Sequence, residues 1–383
     1  MESARVAITR FEPRHLGPLV DFYRDIWDPS ATDESVARAR ALEAARNPGA
    51  PGEEIPTWLF LRAGQVIGHL TTIPVRLWAN GADRLAHWLS GFMVRPEQRN
   101  GPVGFLMLRE AVKQLEITLS LTVMPASRRL FKSVGFTELG VIPNHVRPLR
   151  AGRILAKLDL GALGLSAMPS IARWGTRVAH LPGVAPLAGL VGQSAVDAWS
   201  AARLPSARRL QMQVSAPLES AALDRLWRSV RDRLPRAAVR NGAYMAWRYD
   251  VSPAGGYRAA IVYDGTEPVG AAVVRAPRSH GDPRLRGIAV ATLSDLVVDP
   301  TRRDIILTLL RGAEQIARDL GADALLCSMA YGALRPLLRR RGYARLPGNL
   351  YFLVRDSQGV IPGSSTLEDW WVTRGDMNAD VVF

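Results

Sequence analysis

The chain has 383 residues, of which 48% are hydrophobic and 22% charged, ordinary globular usage at a length that suits two domains with a core each. It contains no apolar run of about 20 residues, and its single cysteine excludes an intramolecular disulfide and a cysteine-rich zinc site. The net charge of +14 suits a nucleic acid, an anionic lipid surface or an acidic cofactor, but arginine in an Arg/Ala-rich chain supplies most of it, so charge selects none of them.

Met1 to Arg5 lead straight into an alternating, strand-like run with no apolar segment behind it. No secretory signal is therefore expected, and the expected location is the cytoplasm. Strands follow over Thr57 to Arg62, over Val66 to Thr72 around Gly68, and over Leu89 to Pro96. Apolar residues at three- and four-residue spacing predict a helix over Val103 to Leu115. A strand over Thr118 to Val123 comes next, then a short helix over Arg128 to Val134. Gly135 falls just past that helix, where a left-handed C-cap belongs.

Residues 151–215 break this pattern, being rich in Gly, Ala, Leu and Pro with arginines between. They read either as a helical linker or as a basic amphipathic hairpin lying on an anionic membrane surface. The earlier order then returns. Strands are predicted over Arg258 to Tyr263, Pro268 to Val274 around Gly270, and Leu293 to Pro300, followed by a helix over Ile305 to Leu320. A strand over Ala324 to Met329 carries Cys327 in an apolar run, as an inert core thiol would be. A helix over Leu334 to Arg341 ends in Gly342-Tyr343. The repeated order predicts an α/β fold with mixed sheets (α+β) and two domains of like topology, 1–150 and 216–383, joined by the central segment 151–215.

The informative segment is Val94-Arg95-Pro96-Glu97-Gln98-Arg99-Asn100-Gly101-Pro102-Val103-Gly104-Phe105-Leu106, between strand and helix. Main-chain amides at a helix tip, aided by the helix dipole, bind a pyrophosphate, and small residues let the backbone approach it. The segment resembles the acyl-CoA-binding motif of the GNAT superfamily, with Arg99 at its first position and Gly104 at its last. Pro102 stands where a motif glycine usually sits, which suits a helix start but removes one donor. Downstream, Ser127, Leu130, Gly135 and Phe136 match a second family pattern, while Met124 replaces an Asn and Phe131 a Tyr. The resemblance implies an acyl-CoA co-substrate, acetyl-CoA first, and no metal. It implies a binding set of Met93, Val94, Arg99, Asn100, Gly101, Pro102, Val103, Gly104, Phe105, Ser127 and Phe131. In the second half Arg303-Asp304-Ile305-Ile306-Leu307-Thr308 fills the same position with bulk and an acid, so no CoA is expected there.

Family members often protonate the leaving thiolate with the Tyr that Phe131 replaces here, and often carry a Glu base on the preceding strand. That strand offers His87 and Ser90 instead. His87 titrates near neutrality and suits base work, although a lone His beside Trp88 is also an ordinary packed residue. Trp247, Arg248 and Tyr249 form an aromatic stretch resembling one in tandem GNAT-like proteins of polysaccharide assembly. It reads either as acceptor recognition or as an interior plug. Trp370-Trp371 must pack on something, so the tail is expected to dock, with Asp376 a candidate for facing the acceptor amine.

The resulting expectation is an acyl-CoA-dependent N-acyltransferase acting on a small amine such as an amino sugar. Two alternatives remain open: an aminoacyl-tRNA-dependent transferase of tandem GNAT fold, and a non-catalytic scaffold that senses acyl-CoA or a membrane.

Overall fold

The structure, a computed structural model, describes residues 6–50, 54–157, 209–215, 218–251, 255–278 and 287–380. They form two compact units. The first takes the residues up to 141 with 236–239 and 350–367, and the second takes the remainder.

The first unit is built from β1 (Val6–Arg10), α1 (Leu16–Ile26), α2 (Asp33–Arg46), β2 (Thr57–Arg62), β3 (Gln65–Ala79), β4 (Ala82–Val94), α3 (Val103–Lys113), β5 (Ile117–Ser120) and α4 (Arg128–Ser133). Ala63-Gly64 and Asn80-Gly81, all at positive φ, make the two-residue turns of the β2–β3 and β3–β4 hairpins. Successive side chains on β2 point to opposite faces. Leu59 meets Leu19, Val20 and Phe22 of α1 on one face, while Trp58 and Phe60 join Val103, Met107 and Leu108 of α3 on the other. Gly68 lets α3 sit close, since a Cβ there would stand 3.0 Å from Val103 Cγ1.

The sheet runs β1-β2-β3-β4-β5 and is completed by a strand from far along the chain. This is β13 (Ala344–Asp356), antiparallel to β5 from Leu353 opposite Ser120 to Asp356 opposite Ile117. Leu353 is fully buried in the α3 core. A short strand β8 (Arg236–Ala238) pairs with the far end of β3.

The second unit has the strand order β6 (Thr137–Pro148), β12 (Ala324–Ser328), β11 (Val290–Val298), β10 (Glu267–Arg278), β9 (Tyr257–Asp264) and β7 (Leu210–Ser215). Its helices, among the described residues, are α5 (Ala151–Lys157), α6 (Ser220–Val230), α7 (Gly242–Met245), α8 (Arg303–Asp319) and α9 (Arg335–Arg340). Gly270 does for α8 what Gly68 does for α3, because a Cβ there would lie 2.7 Å from Leu309 Cδ1. Here too a strand from the opposite half of the chain completes the sheet: β6 pairs with β12 from Asn144 opposite Ser328 to Pro148 opposite Ala324.

Fold class and element order match the sequence reading, and Gly135 and Gly342 adopt the left-handed conformation expected of them. The compact units differ from the contiguous spans 1–150 and 216–383, because each half of the chain lends its last long strand to the other unit. The central span 151–215 is not one linker: Ala151–Lys157 is helical and Leu210–Ser215 pairs with β9 as a sheet strand. Both readings of its interior, linker and membrane hairpin, fall on 158–208, outside the described residues. Among the described residues, no helix is long and apolar enough to cross a membrane, and no three His, Cys, Asp or Glu cluster as metal ligands. Cys327 is fully buried, and burial pushes its thiol up to about 12, which keeps it inert.

Candidate active site

In the first unit, the register between β3 and β4 slips where His69 faces Met93 but Thr71 faces Ser90. β4 thus carries an extra residue, and Gly91 takes φ +57 to accommodate the bulge. On its other side β4 pairs with β5 only at His87–Thr118 and Trp88–Leu119. β5 ends at Ser120 while β4 runs on to Val94, so the strands part and leave a V between them.

His69 clamps the bulge. Its Nδ1 lies 2.7 Å from the Gly91 carbonyl oxygen, which can only accept, so Nδ1 carries the proton. Nε2 is then an acceptor, and Tyr23 of α1 donates its hydroxyl proton to it at 3.0 Å. Burial lowers the His69 pKa to about 4, outweighing the Gly91 contact, so the ring is neutral at physiological pH. One row further along, Thr57 and Thr71 share a hydrogen bond of 3.0 Å, Thr71 stands opposite Ser90, and Arg40 of α2 donates to Thr57 at 3.0 Å. Nearby, a cavity of about 240 Å³ opens among Phe11, Leu16, Arg40, Ala41, Glu54 and Ile55.

Beyond β4 the chain makes a single 3-10 turn, Pro96–Gln98, before the helix. Arg99 folds back, donating from Nε to the Val94 carbonyl at 3.1 Å, and the Gly101 N–H donates to Gln98 O at 3.1 Å. The first helical bond of α3 runs from Leu106 N–H to Pro102 O at 2.9 Å. The N–H groups of Val103, Gly104 and Phe105 therefore have no acceptor within the helix. Asn100, Gly101 and Pro102 are exposed at this tip. A Cβ on Gly101 would have only Gln98 O, at 3.4 Å, within reach. Gly104 differs from the sequence reading: its missing Cβ points at Phe92 Cζ (3.3 Å) and Leu130 Cδ2 (3.4 Å). Its small size serves packing.

The second unit repeats the bulge and the parting strands. β10 faces Asp295 with Val273 but Leu293 with Val274, and β11 pairs with β12 only as far as Leu293–Cys327. Here the chain's own tail enters the V. Thr373 bridges Met329, Ala330 N–H donates to Val372 O at 2.9 Å, and Gly375 N–H donates to the Ser294 carbonyl at 2.7 Å. Trp371 donates from Nε1 to Leu296 O at 2.7 Å. At the helix tip Asp304 pairs with Arg302 at 2.8 Å, and Ile305 and Ile306 are buried.

No family model matches the sequence, and no curated protein sequence does. Solved structures do resemble it. A probable N-acyltransferase from Enterococcus faecalis V583 aligns over 92% of this chain and 72% of its own, with TM-score 0.58 and 10% identity. A GCN5-related N-acetyltransferase from Anabaena variabilis aligns over 92% and 73%, with TM-score 0.55 and 12% identity. The N-myristoyltransferase of Saccharomyces cerevisiae, solved with bound myristoyl-CoA, aligns over 93% and 79%, with TM-score 0.51 and 13% identity. The fold is the GNAT fold.

The GNAT fold brings most of the residues singled out in the first half together around one bulge and one helix tip. Arg99 to Phe105 form the tip. Met93 packs toward α1, Val94 packs toward α3, and Ser127 sits at the start of α4. Phe131 is buried between Phe92 (5.7 Å) and Phe136 (5.1 Å), a dry setting with no proton to give. Ser90 is half-buried beside the bulge. His87 lies elsewhere, roughly 13 Å back along the strand. It shares the face of Leu89 under α3, is held by Thr72 Oγ1 at 3.1 Å, and is lowered to about 4, chiefly by burial. It packs the core and is corrected as a base.

The second-half candidates are interior groups of the second unit. Arg248 donates to Gly375 O (2.9 Å) and Asp380 (2.6 Å), and Tyr249 donates to Asp295 (2.9 Å). Asp376 and Asp295 share buried Arg240 at 2.8 Å and 2.7 Å, and burial raises the Asp376 pKa. Trp247 is half-buried against Tyr244. Arg248 and Tyr249 thus lie in the interior, where a plug would be, and Asp376 is held by buried Arg240. Sequence reasoning passed over His69 and Tyr23. His69 stands beside Gly68 in β3, but only the register of β3 on β4 reveals that it reaches the bulge.

Proposed function

We propose that the chain is an acyl-CoA-dependent N-acyltransferase with two GNAT-like halves in tandem, and that only the first half takes the thioester. One contrast carries this reading. The same bulged, parting strand pair occurs in both units; the second fills it with Thr373 to Gly375, while the first leads to an exposed helix tip with amides lacking helical acceptors. In the first unit the Val103 to Phe105 amides and Arg99 hold the pyrophosphate. Gly101 lets the backbone come near it, and the Leu89 to Val94 edge takes the extended arm. Pro102 removes one donor from this cradle. Acetyl-CoA is the first donor to test.

The acceptor is a small primary amine approaching over the α1/α2 face, where Ser90, Thr71 and the Arg40–Glu54 cavity lie. With Arg248 and Tyr249 in the interior, the residues that suggested an amino sugar no longer favour one. The amine attacks the thioester carbonyl, the new C–N bond forms and the C–S bond breaks. Phe131 gives the leaving group no proton, but a thiol of ordinary pKa about 8.5 departs as thiolate and takes its proton from water. The protein works in the cytoplasm on small molecules.

The test mixes the protein with acetyl-CoA and three amines, glucosamine, spermidine and phenylethylamine, and follows CoA thiol release and acetylated product by mass spectrometry. Turnover of any one supports the reading. Tight CoA binding without turnover favours a scaffold, and salt-sensitive tRNA binding without CoA affinity favours a tRNA-dependent transferase.

A further inference from the structure

Arg275 of β10 is fully buried in the second unit, and among the described residues none of its three guanidinium nitrogens has a hydrogen-bond partner. Thr292 of β11 stands directly opposite it in the ladder, and so on the same face of the sheet. It too is fully buried, and its hydroxyl has no partner either. Arg240 and Arg248 show how this unit treats its other buried guanidinium groups, since each of them grips a carboxylate. A buried charge without a counterpart is strongly destabilising, and four orphaned polar atoms in one row ask for an acceptor. We infer that Arg275 and Thr292 form a binding site for a small monocarboxylate, separate from the acyl transfer proposed for the first unit.

The row has one more member. Tyr257 of β9 faces Arg275 from the other side, so Tyr257, Arg275 and Thr292 lie side by side. Tyr257 donates to Asp380 Oδ2 at 3.0 Å, Ser294 donates to the same oxygen at 2.6 Å, and Arg248 donates to Oδ1 at 2.6 Å. The charge of Asp380 reaches Arg275, but its oxygens are spent on these other donors. Burial pulls the Arg275 pKa below its ordinary value, and the charges of Arg278 and Arg248 push the same way. An anion in direct contact would reverse that balance.

The donors select the class of anion. A guanidinium offers two parallel N–H groups that match the two oxygens of a carboxylate, and the Thr292 hydroxyl can donate to one of the same oxygens. Chloride has the charge but no pair of oxygens to use the fork. Phosphate has the oxygens, but its second charge would face Asp380. The acid must be small, because the Tyr257 ring is packed on Tyr249 at 5.0 Å. Its way in is short. Gly256, just before Tyr257, is exposed, and Ala276, just after Arg275, is half-buried, so the row lies near the rim of the sheet. Between the Arg275–Thr292 and Arg278–Val290 pairs β10 carries an extra residue, a bulge that bends the strand away beside the site.

Acetate is the probe, titrated into the whole protein in dilute zwitterionic buffer near neutral pH and followed by calorimetry and by thermal melts. We expect one acetate per chain and a melting temperature that rises with acetate and saturates, with sodium chloride and sodium phosphate at equal concentration doing less. Arg275→Met should weaken acetate binding by about tenfold or more, and Thr292→Val by about threefold. Without acetate, Arg275→Met should melt no lower than wild type, since it replaces an uncompensated charge with an apolar chain of similar length. Should Arg275→Met fail to fold, Arg275 has a structural counterpart within the chain and the site is refuted. The Thr292→Val comparison stands without it, and an acetate affinity that this variant leaves unchanged also refutes the site. So do an absence of saturable binding, as expected if water alone satisfies the row, an acetate response shared equally by wild type and Arg275→Met, and chloride binding tighter than acetate.

Discussion

Single buried side chains set much of the expected response to mutation and to pH. Arg240 lies between Asp295 and Asp376, all three buried, and removing one partner of such a group leaves unpaired charge in the interior. Arg240→Leu should cost about 3–5 kcal/mol in urea unfolding and leave acetyl-CoA affinity unchanged, because the helix tip proposed to hold the cofactor belongs to the other unit. The histidines set a second expectation. Burial lowers His69, His87 and His145 to about 4, below their unfolded value of about 6.5. Between those values the unfolded chain binds more protons, so stability is full above the window and falls as pH drops through it. Each histidine should remove about 2 kcal/mol between about pH 7 and about pH 5, and unfolding free energies equal at the two pH values would contradict this. None of these pairings is visible in sequence. Arg248 and Asp380 are far apart in the chain, and whether an arginine grips a ligand or a tail depends on what covers it.

Elements were far more legible than the contacts between them. Helical spacing located α3 and α8, short β-like apolar runs located β2, β9 and β12, and Gly135 and Gly342 marked helix ends, because these signals are local. The segment proposed as the cradle was legible for the same reason, since strand, turn and helix tip are contiguous. The bulge was not, because it exists only in the register of β4 on β3. The tail was expected to dock, and its place follows from Gly375, where a Cβ would strike the Tyr249 hydroxyl and the Ser294 carbonyl. Gly375→Ala should therefore expel the tail from the V of the second unit. Hydrogen exchange at Gly375 and Ala330, both bonded across that V, should rise at least tenfold; unchanged protection would show that the tail is held by other means.

At the scale of the whole molecule, the exchanged strands decide what folds. A fragment of residues 1–150 contains every motif residue of the first unit but lacks β13, so β5 would present an unpaired edge and the α3 core would lose buried Leu353. It should be aggregated or unfolded by circular dichroism. Supplying residues 350–367 through a flexible linker should restore a cooperative melt. A stable, monomeric 1–150 fragment would contradict the exchange. The sequence reading drew contiguous domains because a repeat in sequence says where similar elements lie and nothing about which sheet each strand enters. The central claim is that acyl-CoA binds the helix tip of the first unit and nowhere else on the chain. Calorimetry with acetyl-CoA tests it most directly, comparing wild type with Gly101→Glu, which sets a carboxylate in open space beside the Val103 to Phe105 amides. We expect one site per chain in the wild type and at least a tenfold loss of affinity in the variant; two sites, or an affinity that Gly101→Glu leaves untouched, would contradict the account.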